Sequence, residues 1–147
     1  MSSPAVQLAD AIADDLHEVM GDLWGDASWQ VERAYRPVLD LEDLDDLRII
    51  VVPAATEQQR IDRESHERRV AVLVSVQTRC GPEQTDKLDD LAGLVHDIGD
   101  HLTDRRFDDL HAARFDGIES DPLFHPDLLE TRRVFLAPSL VRYRILN

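Results

Sequence analysis

Ile49-Ile50-Val51-Val52 and Val70-Ala71-Val72-Leu73-Val74-Ser75-Val76 are apolar runs of strand length, and a long charged stretch separates them. Segments this rich in β-branched residues read as strands of a sheet core. Between them, Pro53 to Arg69 includes Glu57-Gln58-Gln59-Arg60-Ile61-Asp62-Arg63-Glu64-Ser65-His66-Glu67-Arg68-Arg69. Strands that merely fold back on each other need about 2–5 residues, and loops beyond about 12–15 inside a compact domain are usually functional or disordered. Ile61 is the single sizeable apolar side chain this connection offers. Ordering a dozen residues costs on the order of 10 kcal/mol, whereas burying one isoleucine returns about 1.5–3 kcal/mol. The sequence therefore predicts that Pro53 ends the first strand and that 53–69 forms a charged hairpin arm held by a partner. Arg60, Ile61, Arg63, Glu64, Glu67 and Arg68 are its candidate protein-interface residues. Their charge is nearly balanced, and the arginines suit bidentate contacts with acidic faces of a neighbouring copy.

A chain of 147 residues suffices for one domain with a real core. Its 30 acidic against 16 basic residues give a net charge of −14, which argues against general affinity for nucleic acid or anionic membrane. Cys80 stands alone, which excludes an intrachain disulfide and a multi-cysteine zinc site. No run approaches the ~20 apolar residues of a membrane span. Met1-Ser2-Ser3-Pro4 lacks a basic leader before an apolar segment, so no secretory signal is expected. A reducing cytoplasm, or a particle built there, fits this chain.

Ser3 before Pro4 is an N-cap followed by proline at the first helical position. Leu8, Ile12, Leu16, Val19 and Leu23 then mark one apolar helical face, with Asp10, Asp14, Asp15, Glu18 and Asp22 on the other and Gly21 and Gly25 at the end. Trp29 to Arg36 reads as extended, and Leu41–Leu47 as a single helical turn before a strand at Arg48–Val52. A second long strand is expected from about Arg69 to Arg79, terminated by Gly81-Pro82. Thr85 is the expected cap of a second helix whose seam is Leu88, Leu91, Val95, Ile98 and Leu102. A strand at Ala113–Ser120, a turn at Asp121-Pro122, a short helix at Pro126–Thr131 and a strand at Arg132–Ile145 follow. Pro138 predicts that this last strand lies at an edge or carries a bulge. The fold class is α+β, a single domain of order α-β-β-β-α-β-β. An antiparallel or mixed sheet of about five strands would carry two main helices on one face.

Candidate catalytic and metal groups do not converge in the sequence. His96 and His101 are five residues apart and point about 140° away from each other on a helix. Zinc helices place their histidines four apart. Asp97 and His101 have that spacing, but two ligands do not make a structural site. The pairs Asp14-Asp15, Asp45-Asp46, Asp89-Asp90 and Asp108-Asp109 sit at adjacent positions that diverge by about 100° on a helix, so they read as solvated charge. Cys80 has no sequence-local histidine to activate it. No glycine-rich phosphate cradle or nucleophile elbow is present. No catalytic residue, metal or cofactor is expected, and the chain is not expected to be an enzyme.

Ala34-Tyr35-Arg36-Pro37 leading to Leu41-Glu42-Asp43-Leu44 and Ile50-Val51-Val52-Pro53 forms one recognisable stretch. Asp121-Pro122-Leu123-Phe124, followed by Leu128, Phe135 and Val141-Arg142-Tyr143-Arg144, forms another. With the element order and chain size, these resemble the tail terminator (tail-completion, head–tail joining) proteins of tailed bacteriophages and prophages, over nearly the whole chain. The resemblance implies a hexameric ring that caps the tail tube and joins the tail to the head connector. Its partners would be other copies of itself, the tail-tube protein and head connector proteins. DNA would pass through the ring without sequence-specific binding, and no membrane would be involved. The location implied is the tail or neck of a virion, and the host cytoplasm during assembly. The alternative from another class is an acidic secretion chaperone or other small protein-binding module, which would act as a dimer with an apolar groove.

Overall fold

The computed structural model describes residues 3–25, 28–36, 44–60, 66–110, 112–121 and 123–146. In order, these form α1 (Pro4–Trp24), β1 (Trp29–Arg33), β2 (Leu47–Arg60), β3 (His66–Arg79), α2 (Thr85–Leu102), β4 (Ala113–Glu119), α3 (Pro126–Arg132) and β5 (Val134–Leu146), with a 3₁₀ turn at Asp108–Leu110. The strands make one mixed sheet of order β1-β2-β3-β5-β4, in which β1 runs parallel to β2 and every other pair is antiparallel. The expected α+β class and element order hold. Part of the expected turn at Leu41–Leu47 lies outside the described residues. Among the described residues, no helix is long and apolar enough to cross a membrane.

Both long helices form for the reasons visible in their sequences. The Ser3 hydroxyl accepts a hydrogen bond from the Val6 N–H at 3.2 Å, and Pro4 occupies the first turn. Gly25, at φ 90°, closes α1 by donating its N–H to the Gly21 carbonyl at 3.0 Å. Leu8, Ile12, Leu16 and Met20 are fully buried beneath it. Helix α2 buries Leu91, Leu94, Val95, Ile98 and Leu102. Its cap differs from expectation: Gln84 holds the N-cap position, and Thr85 is already helical. The Gln84 side chain instead accepts from the Gly81 N–H at 2.7 Å, which bends the chain from β3 into the helix.

The two helices share one apolar core with Ile49 and Val51 of β2, Val70, Val72, Val74 and Val76 of β3, and Phe135, Ala137, Val141 and Tyr143 of β5. These are alternate residues of each strand, so they point to one face. Their neighbours Ile50, Val52 and Leu136 point the other way and are also buried. Helix α3 packs on β5 and buries Leu129.

Two proline expectations are corrected. β2 does not stop at Pro53 but continues to Arg60, with a bulge in its pairing to β3 between Pro53 and Ala55. β5 is an interior strand, paired to both β3 and β4, and runs through Pro138 without interruption. One cause covers both. β1 accompanies β2 only as far as Val51, whose carbonyl accepts the Ala34 N–H at 2.9 Å. β4 accompanies β5 only from Leu140 onward. Each proline therefore falls where the outer ladder has ended and its missing N–H leaves no partner orphaned.

Candidate assembly surfaces and an internal clasp

The segment singled out as an arm is largely a continuation of the sheet. Glu57, Gln58, Gln59 and Arg60 face Arg69, Arg68, Glu67 and His66 in antiparallel register. On the other side of β3, Glu67, Arg68 and Arg69 pair with Leu146, Ile145 and Arg144. Backbone ladders on both sides of 67–69 hold the base of the arm, and these do not depend on apolar side chains. Burial of apolar side chains is therefore not the only source of order in this segment.

The six candidate interface residues are distributed unevenly. Ile61, Arg63 and Glu64 lie outside the described residues. Arg60 is exposed at the far end of β2, and Arg68 is half-buried in β3. Glu67 is buried, its carboxylate 3.5 Å from Arg69 Nε and 3.7 Å from an Arg144 guanidinium nitrogen. Arg144 Nε also lies 3.2 Å from Asp116 of β4. Arg142 and Glu119 pair at 2.9 Å further along β5 and β4. This charge lattice ties the arm base to the β4 edge.

A second group was missed by sequence reasoning. Asp15, expected on the solvated side of α1, has a side chain only 8% exposed. Its Oδ2 is 2.7 Å from His101 Nε2, and its Oδ1 accepts from Arg105 at 2.7 Å. The carbonyl of Arg105 accepts from the Tyr143 hydroxyl at 2.7 Å. Phe107 and Phe115 pack on the Tyr143 ring with centroids 6.0 and 5.8 Å away. Burial, reinforced by the Asp15 charge, pushes the Tyr143 phenol well above its ordinary value. The clasp joins α1, the end of α2 and β5. Its partners are far apart in sequence, so local periodicity carries no sign of it.

The candidate chemistry remains dispersed. His96 pairs with Asp100 at 3.1 Å on the exposed side of α2, while His101 points to Asp15. Among the described residues, no three His, Cys, Asp or Glu side chains are placed to hold a metal ion. Cys80 is buried, with Sγ 3.6 Å from the Gly81 carbonyl, and burial pushes its thiol up from its ordinary value. A thiol so placed is a poor nucleophile. At the end of β1, Arg33 donates to Asp10 at 3.0 Å and lies over the exposed Tyr35 ring at 4.7 Å.

No protein-family model matches the chain, and no curated protein sequence matches it. Its fold does match a solved structure, "Virion of native gene transfer agent (GTA) particle". The TM-score to a chain of that particle is 0.55 at 17% identity, over 99% of this chain and 100% of that one. The class defined by these observations is a small α+β domain with the fold of that virion chain.

Proposed function

We propose that this chain is a structural component of a phage-like virion that works by assembly rather than catalysis. Within that role it is a tail terminator, forming a hexameric ring that caps the tail tube and joins it to the head connector. The observation that carries the reading is the end-to-end correspondence of fold with a chain of a virion particle. The sequence resemblance set out above supports the finer role, and so does a β2–β3 hairpin reaching past the end of β1, with Arg60 exposed at the end of β2. The ring belongs to the tail or neck of the particle, with the tail-tube and connector proteins as partners. The charge of −14 per copy suits a channel that lets DNA slide without sticking.

Light scattering and negative-stain microscopy of the purified chain, across concentration and salt, test this directly. Closed rings are the expected result. In a second protein, Arg60 to His66 is replaced by Asn-Gly, which joins the cross-strand pair Gln59 and Glu67 through a two-residue turn. That variant should keep its thermal transition and lose binding to tail-tube protein. A wild-type chain that forms dimers and nothing larger would overturn the ring and favour a chaperone.

A further inference from the structure

Positive charge gathers at the end of the sheet opposite the arm. Arg79 ends β3, Lys87 stands in the first turn of α2, Arg132 ends α3 and Arg133 follows it. With Cys80 and Gly81 they line a cleft of about 380 Å³. These are four of only 16 basic residues in a chain of net charge −14. Two have acidic partners: Arg79 with Asp45 at 3.2 Å, and Arg133 with Glu83. Lys87 donates to the Arg79 carbonyl at 2.8 Å and makes no ion pair among the described residues. Arg132 is exposed and makes no ion pair among the described residues. Arg133 adopts a left-handed backbone, φ 55°, at a helix end where glycine is usual. Its guanidinium lies over Gly81, in the space a Cβ there would fill. The N-cap of α2 has no side-chain bond, so its first-turn N–H groups add to the positive field.

The opposite charge lies elsewhere on the molecule. Asp14, Glu18 and Asp22 recur every four residues along α1, all exposed and without ion pairs among the described residues. Like charges at that spacing work against a helix. Helix α1 packs over β1, β2 and β3 and against α2, but Asp14, Glu18 and Asp22 are not among the residues lining the cleft between the ends of β3, α2 and α3. The two patches do not overlap, which suits a head-to-tail contact rather than a two-fold one. Copies each carrying −14 repel one another, so a stable contact between them must match opposite charges locally.

We propose that the Arg79–Lys87–Arg132–Arg133 cleft is one half of the contact between copies of this chain, and that it receives the Asp14–Glu18–Asp22 stripe of the next copy. The inference rests on the ring reading and names its interface. Two variants of the full chain test it by light scattering: Lys87→Glu with Arg132→Glu, and Asp14→Lys with Glu18→Lys. Each should stay folded by circular dichroism and associate at least about tenfold more weakly than wild type. In an equimolar mixture both contacts between unlike copies are complementary, one native and one charge-reversed, so the mixture should regain rings of alternating copies. A chain carrying all four changes should regain rings. Arg132→Glu alone, at an exposed position with no ion pair among the described residues, should show a smaller loss and keeps the test open if Lys87→Glu disturbs the end of β3.

Rings from either two-site variant at wild-type concentration overturn the inference and leave the ring reading standing. Failure of the four-change chain to regain rings overturns the pairing of these two surfaces. A wild type that stays monomeric throughout overturns both readings. A cleft variant that keeps its rings but loses affinity for a duplex DNA oligonucleotide reassigns the cleft to phosphate.

Discussion

Adjacent aspartates on α1 should respond very differently to the same substitution. Asp14 is exposed, whereas Asp15 is enclosed and bonded to His101 and Arg105. Removing one member of a buried ionic group costs about 3–5 kcal/mol, because the partners left behind are uncompensated. Here the partners recover part of that loss: Arg105 is 45% exposed and His101 is 19% exposed. The expected cost of Asp15→Ala therefore falls to about 2–3 kcal/mol, while Asp14→Ala stays within about 0.5 kcal/mol of wild type. In a domain of this size the first value corresponds to a fall in Tm of about 5–10 °C. Urea titration at constant m measures the difference. A double-mutant cycle of Asp15→Ala with Arg105→Ala should give a coupling of about 1 kcal/mol or more. If Asp15→Ala and Asp14→Ala unfold within about 0.5 kcal/mol of each other, the clasp contributes nothing and the argument fails.

Tyr143 provides a pH test. Its phenol is held above the ordinary value, so the folded chain retains a proton that the unfolded chain releases near pH 10, and this contribution to stability is present below about pH 10 and lost as pH rises. Tyr143→Phe should flatten the alkaline fall in unfolding midpoint and cost about 1 kcal/mol at neutral pH through the lost bond to Arg105; an unchanged alkaline profile counts against the assignment. Gly117, at φ 151° in the bulge between β4 and β5, has open space around the position of a Cβ. Gly117→Ala should still destabilise by about 1 kcal/mol through backbone strain alone, and a neutral result would show that the bulge relaxes. Cys80 should react with a thiol reagent far more slowly in buffer than in denaturant, since it is only 2% exposed. Equal rates would contradict its burial.

The helices were legible because their apolar residues recur at helical spacing and their ends carry Ser3-Pro4 and Gly25. The apolar cores of β2 and β3 were equally plain. Their outer halves were not, because Glu57–Arg60 and His66–Arg69 are held by backbone pairing that polar side chains do not disclose. Pro53 and Pro138 were misleading for a related reason. A proline's cost depends on whether a neighbouring strand needs its N–H, and that is a property of the sheet rather than of the segment. Asp15 was lost among its acidic neighbours because its partners lie 86 and 90 residues away. The basic cleft was equally hidden, since Arg79, Lys87 and Arg132-Arg133 come from three separate elements.

The placement of β5 has a consequence for how the molecule comes together. It follows β3 and β4 in sequence yet lies between them, so β4 joins the rest of the sheet only through β5. Nearest-neighbour pieces such as the β2–β3 hairpin can form early, while closure waits on contacts between distant parts of the chain. Until that late event, one flank of β3 stands bare along its length. An acidic coat that keeps half-finished copies from sticking to each other through that flank would be useful during those moments, whatever it does afterwards.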